Sequence, residues 1–162
     1  MADGKIIKSI IDAIAVALQI IESAENEVAW LVPRPALIYA SQYGVNDISK
    51  VLIQKGVHIR GITDISYPYI DIVRERLDIG EDVRHFEKYQ GEFMLIGDVR
   101  QGLSSINIDV ESLSLDTPVV ALWTDDPTYA EYLMSTFEVA WEQAVPAAQR
   151  IEELLKKGPP NI

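Results

Sequence analysis

A chain of 162 residues, 48% of them hydrophobic, is the size of one ordinary domain with a core of its own. Its 14 basic and 25 acidic side chains leave a formal net charge of −11, a surface that repels nucleic-acid phosphate and anionic lipid instead of gripping them. The lack of cysteine excludes disulfides, thiolate metal sites and a cysteine nucleophile, and it fits a reducing, cytoplasmic setting.

In chain order, the first pattern is an apolar run from Ile6 to Ile21. Lys8, Ser9, Asp12 and Gln19 interrupt it, so it reads as neither a signal peptide nor a membrane span. Ile7, Ile11, Ile14, Leu18 and Ile21 recur at spacings of four and three, the seam of an amphipathic helix. Ile6, Ile10, Val16, Ala17 and Ile20 widen the apolar face, so a helix over 6–21 needs cover on more than one side, from its own domain or from a second copy. Residues 1–24 are therefore expected to form a dimerisation or linker helix, with a homodimer formed through that seam.

Val28 to Val32 is a continuous apolar run between Asn26 and Pro33, and reads as a buried strand. Pro33-Arg34-Pro35 is a loop, and Ala36 to Tyr43 a short helical turn. Val45 to Lys55 has helical spacing and ends at Gly56. Val57 to Thr63 is β-branched and alternating, which makes strand–helix–strand a right-handed parallel crossover. Tyr67 to Leu77 is a helix with Pro68 in its first turn and Gly80 at its end. Val83 to Phe86 is a short strand. Phe93–Ile96 and Leu103–Ile108 form a hairpin around Gly97–Gly102, and Val119 to Trp123 is a further buried strand. Asp125-Asp126-Pro127 caps a long helix that Pro146 should kink or interrupt, and Gly158-Pro159-Pro160 stops it. Residues 25–157 thus form one α/β domain, a mixed sheet flanked by helices and with long helices at both ends of the chain, and 158–162 form a loose tail.

Chemical motifs are scarce. There is no dinucleotide fingerprint, P-loop or Gly-x-Ser-x-Gly elbow. His58 and His85 stand alone on strands and read as structural or surface histidines, so no metal site and no cofactor is expected. Tyr67, Tyr69, Tyr129 and Tyr132 lie near helix starts and read as core or pocket-mouth aromatics.

The phrases KGVHIRGITDI (55–65), FMLIGDVRQGLSSINI (93–108) and VALWTDDPTYAEYLMSTFEVAWEQA (120–144), in this order, resemble the phospholipase-D-like sensor domain of TrmB-type transcriptional regulators of archaea. The likeness covers roughly residues 25–155. Active phospholipase D enzymes carry His-x-Lys-x-x-x-x-Asp on the strand that opens the hairpin. Placing Asp98 at the aspartate puts Phe93 at the lysine and Gly91 at the histidine, and neither can replace it. His85 and Lys88 are at the wrong spacing. The resemblance therefore implies a domain that is not an enzyme and senses a small ligand in transcriptional regulation, without itself touching nucleic acid or membrane. A structural dimerisation or protein-interaction module is the alternative, followed by a phosphodiesterase. The ligand would sit at the carboxyl ends of the strands, with Arg34, Asp64, Tyr67, Asp98, Ser104, Ser105, Trp123 and Thr124 as its expected contacts.

Overall fold

The hairpin built from β5 (Phe93–Gly97) and β6 (Gln101–Ser105) lies inside a sheet whose other strands come from all parts of the chain. A computed structural model describes residues 1–88, 92–105 and 114–161. Those residues form an eight-stranded mixed sheet in the order β1-β7-β6-β5-β2-β3-β4-β8. Here β1 is Gly4–Ile7, β2 Glu27–Leu31, β3 His58–Thr63, β4 Asp82–His85, β7 Ala121–Thr124 and β8 Val145–Pro146. β2, β3 and β4 run parallel, while β5 lies antiparallel to β2 and begins the β5–β6–β7–β1 antiparallel half. The expected second hairpin strand continued to Ile108, but residues 106–108 lie outside the described residues.

The strands are apolar on both faces because both are covered. On one face Val28, Trp30, Ile59, Leu95 and Leu103 pack with α1 (Ile10–Ser23), α2 (Arg34–Gln42), α3 (Val45–Gln54) and α4 (Ile70–Ile79). On the other, Ala29, Leu31, Ile62, Met94 and Ile96 meet Leu133, Phe137 and Trp141 of α5 (Pro127–Gln143). α6 (Ala147–Lys157) sends Ala147 and Ile151 into the first core. Asp126 caps α5 by accepting the Thr128 N–H at 2.9 Å, as the Asp-Asp-Pro sequence predicts. At Pro146 the helix is interrupted, one of the two outcomes expected there. α5 stops at Gln143, the chain pairs briefly with β4 through β8, and α6 starts again.

The N-terminal expectation needs correction. Residues 6–21 are not one helix: Gly4–Ile7 is an edge strand paired with β7, and Ser9 starts α1 by accepting the Asp12 N–H at 3.1 Å. Ile6 and Ile7 alternate outward and inward, and β-branched residues after a glycine suit a strand better than a helix. The seam of Ile7, Ile11, Ile14, Leu18 and Ile21 is thereby broken. Ile7 and Ile21 are buried in the core, Leu18 is partly buried against it, Ile14 is partly buried and lines a cavity, and Ile11 is 57% exposed. The stripe mainly seats α1 on its own sheet.

Candidate functional site at the carboxyl edge of the sheet

The parallel strands β2, β3 and β4 all end on the same edge, where the chain turns outward and side chains gather. Asp64 follows β3, His85 ends β4, and Glu87 lies two residues beyond it. Parallel pairing sets Thr63 opposite His85, which brings Asp64 to the imidazole. One ligand-type atom from each of Asp64, His85 and Glu87 falls within 4.8 Å of the others. α6 adds Arg150, whose Nε donates to the Ile65 carbonyl at 3.2 Å and whose Nη2 lies 3.7 Å from Glu87. α2 adds Arg34, with Nη1 3.7 Å from Asp64.

The hydrogen bonds determine the form of the histidine. The Ile65 N–H donates to His85 Nδ1 at 2.9 Å, so the ring proton sits on Nε2 and points to Glu87 Oε1 at 3.2 Å. Burial and the Arg150 charge push the imidazole below its usual range, against the upward pull of the Glu87 hydrogen bond and the Asp64 and Glu87 charges. His85 is therefore a neutral donor near pH 7. Asp64, His85 and Glu87 could offer a cation three ligands. They fit one poorly as arranged, because Nδ1 already accepts a backbone N–H and each carboxylate faces a guanidinium. Bringing a neutral imidazole donor, an exposed carboxylate and two guanidiniums to one edge is instead suited to general acid–base work on an anionic ester.

This cluster corrects two expectations. His85 does not stand alone, and the flat reading of a chain with no catalytic groups, not an enzyme, does not survive Asp64, His85 and Glu87. The signal in sequence was His-Phe-Glu at 85–87, where residues two apart share one side of an extended chain. Arg150 lies 65 positions from His85 and carried no such signal.

The eight expected contacts do not converge. Arg34 and Asp64 join the cluster, and Tyr67 packs against the core. Ser105 shares this edge, donating to the Val120 carbonyl at 2.8 Å and lining an apolar cavity with Phe93. Ser104 points the other way, to Tyr129 Oη at 2.9 Å. Asp98, Trp123 and Thr124 do not belong to this group: the antiparallel register carries them toward the opposite edge, with Thr124 opposite Gly102 and the Asp98 N–H bonded to the Glu27 carbonyl. There Trp123 Nε1 reaches Gln101 at 3.3 Å, and Thr124 donates to the Asp3 carbonyl at 2.7 Å. Asp98 accepts the N–H groups of Glu25, Asn26 and Glu27 at 2.9, 2.8 and 2.9 Å, and so pins the start of β2. The hairpin is built as expected, but its aspartate is structural.

The fold has the topology of the phospholipase D proteins. Among solved structures, Nuc from Salmonella typhimurium, a phospholipase D family member, superposes with a TM-score of 0.70 at 14% identity, over 90% of this chain and 98% of that one. NucT from Helicobacter pylori matches with a TM-score of 0.69 at 14% identity, over 90% of this chain and 99% of that one. TrmBL2, an archaeal chromatin protein, matches with a TM-score of 0.67 at 16% identity, over 88% of this chain but 53% of that one. No protein-family model matches the sequence, and no curated protein does. Among the described residues no helix is long and apolar enough to cross a membrane.

Proposed function

We propose that this chain is a phosphoester-processing domain on the phospholipase D fold, working through Asp64, His85 and Glu87. The observation that carries the reading is the approach of these three groups, within 4.8 Å, at the carboxyl edge. The covalent histidine route of the resembling enzymes has no support from Phe93 at the lysine position. The route this cluster suits is attack by water. Glu87 takes a proton from water as its oxygen bonds to phosphorus. The ester P–O bond on the opposite side breaks, the departing alkoxide takes a proton from solvent water, and Glu87 returns its proton to the solvent. His85 Nε2–H turns from Glu87 to a non-bridging oxygen where charge builds, and Arg34 and Arg150 complement the phosphate. The net charge of −11 favours a small ester over a nucleic-acid polymer.

The test is hydrolysis of bis(4-nitrophenyl) phosphate and 4-nitrophenyl phosphate, with and without Mg²⁺, Mn²⁺ or Zn²⁺. His85→Asn and Glu87→Gln should each lower turnover about 10²-fold or more. No turnover above background in any buffer, or turnover indifferent to both substitutions, overturns the reading.

A second reading is a small-ligand sensor in a homodimeric regulator, of which the likeness to TrmBL2, an archaeal chromatin protein, supports the regulatory part alone. Sedimentation separates its dimer from a monomer, and a monomer at micromolar concentration removes it.

A further inference from the structure

Ile65 joins the end of β3 to the turn at Tyr67–Tyr69, and among the described residues its backbone makes no hydrogen bond to another backbone group. Both of its polar groups go to side chains instead. The N–H donates to His85 Nδ1 at 2.9 Å, and the carbonyl accepts from Arg150 Nε at 3.2 Å. Ile65 is 0% exposed, so water is a poor substitute for either partner. Arg150 also closes the circuit on the far side of the ring. Its Nη2 lies 3.7 Å from Glu87 Oε1, the oxygen that accepts His85 Nε2–H at 3.2 Å. The arginine is brought there by α6, which Ala147 and Ile151 seat in the core.

His85 Nδ1 has a second partner within reach of a small rotation. Asp64 Oδ1 lies 3.9 Å away, too far for a hydrogen bond while the Ile65 N–H occupies the nitrogen. A neutral imidazole carries one proton. With the Ile65 N–H in place that proton is on Nε2, and the ring is a donor at the edge of the sheet. Without it, Nδ1–H on the Asp64 carboxylate is the stronger pairing, because the acceptor is charged. Nε2 then becomes an acceptor, which can take a proton but cannot stabilise charge on a phosphoryl oxygen. The other charges around the ring are Arg34, 3.7 Å from Asp64, and Glu153, 3.9 Å from Arg150.

We propose that Arg150 is a positioning residue that selects the tautomer of His85. With its carbonyl held by Arg150 Nε, Ile65 presents its N–H to Nδ1 and keeps the ring proton on Nε2. Loss of that hold turns the imidazole to Asp64 as an Nδ1–H donor, so the docking of α6 sets the direction in which the site moves a proton. The catalytic value of this selection rests on the hydrolysis proposed above, but the tautomer is read without substrate.

The readout is long-range proton–nitrogen correlation spectra of the nitrogen-labelled full chain at alkaline pH, where imidazole is neutral. His58 is assigned by its loss in His58→Gln, and near-UV circular dichroism confirms that each variant folds. Wild type should show the Nε2–H pattern at His85. Arg150→Met keeps the apolar stem without a donor and should raise the ratio of Nδ1–H to Nε2–H about tenfold, the effect of one lost hydrogen bond. Arg150→Lys keeps the charge near Glu87 but has no Nε–H and should shift the ratio the same way; if one does not fold, the other decides. Glu87→Gln retains an acceptor for Nε2–H and should leave the ratio as in wild type, which separates the hold on Ile65 from the pairing with Glu87. Three results overturn the proposal: wild-type His85 in the Nδ1–H form, an unchanged ratio in the folded Arg150 variants, or an equal shift in Glu87→Gln. A tautomer shift without phosphoester turnover removes the enzymatic reading and leaves the role of Arg150 standing, whereas turnover without a shift does the reverse.

Discussion

Replacing Asp98 asks whether the hairpin aspartate is structural or chemical. Its two carboxylate oxygens accept three backbone N–H groups, from Glu25, Asn26 and Glu27, at 2.8–2.9 Å. The Glu25 and Asn26 bonds are solvent-exposed, so water replaces part of what is lost. A helix-cap-like value of about 1–2 kcal/mol for the set is then reasonable, below the sum for three buried charged bonds. Asp98 also has φ 53°, the left-handed region, where alanine costs about 1 kcal/mol more than glycine. Asp98→Ala should thus lose about 2–3 kcal/mol, or roughly 6–9 °C in melting temperature for a chain of this length. Asp98→Gly, free of the backbone strain, should lose about 1–2 kcal/mol. Asp98→Asn, which keeps one acceptor and tolerates the conformation, should lose about 1 kcal/mol. Urea unfolding measures all three. Burial pushes the carboxyl up, but the three backbone bonds and Arg100 outweigh it and hold the group below its usual 3.8. The ionised form is therefore favoured by folding. The contribution is full above pH 3.8 and fades as pH falls through the folded value, so wild type and Asp98→Asn should converge in acid. An Asp98→Ala protein as stable as wild type, or one that keeps its stability and loses hydrolysis, would show that this reasoning is wrong.

Gly61 admits no side chain: a Cβ there would lie 1.9 Å from the Trp30 ring. Gly61→Ala should displace the indole toward the cavity, break its bond to Glu81 and cost about 3 kcal/mol, seen in urea melts and in an altered near-UV tryptophan spectrum. Glu81→Ala strands the buried Arg76 guanidinium and the Trp30 N–H and should cost about 3–5 kcal/mol, whereas Glu81→Gln, which keeps an acceptor, should cost less. His85 is held below its usual 6.5, so protonation favours the unfolded chain. Stability should fall as pH drops below 6.5 toward the folded value, and His85→Gln should flatten that part of the profile, measured by melting temperature against pH.

The sequence by itself determined the local elements wherever one signal dominated. β2 and β7 are bounded runs of apolar residues, α5 has Asp126 and Pro127 at its start, and Gly80 ends α4 with φ 110°. It also gave the hairpin, expected as Phe93–Ile96 and Leu103–Ile108 around Gly97–Gly102, where β5 and β6 pair from Gly97 and Gln101 to Phe93 and Ser105. The N-terminus misled because Ile7, Ile11, Ile14, Leu18 and Ile21 satisfy helical spacing while Gly4 to Ile7 has a free strand edge to join. Local periodicity carries no information about which edge is open. Pro146 showed that the helix must break, but not that β8 would form in the gap. The candidate site was the least legible part. Strand ends looked equivalent in sequence, yet antiparallel register sends Asp98, Trp123 and Thr124 toward one edge and leaves Arg34 and Asp64 at the other. Only the parallel pairing of β3 with β4, and the return of α6 across that edge, bring Asp64, His85, Glu87 and Arg150 together. Chemistry depends on distances between side chains far apart along the chain, and those distances are set by how the strands order themselves in the sheet.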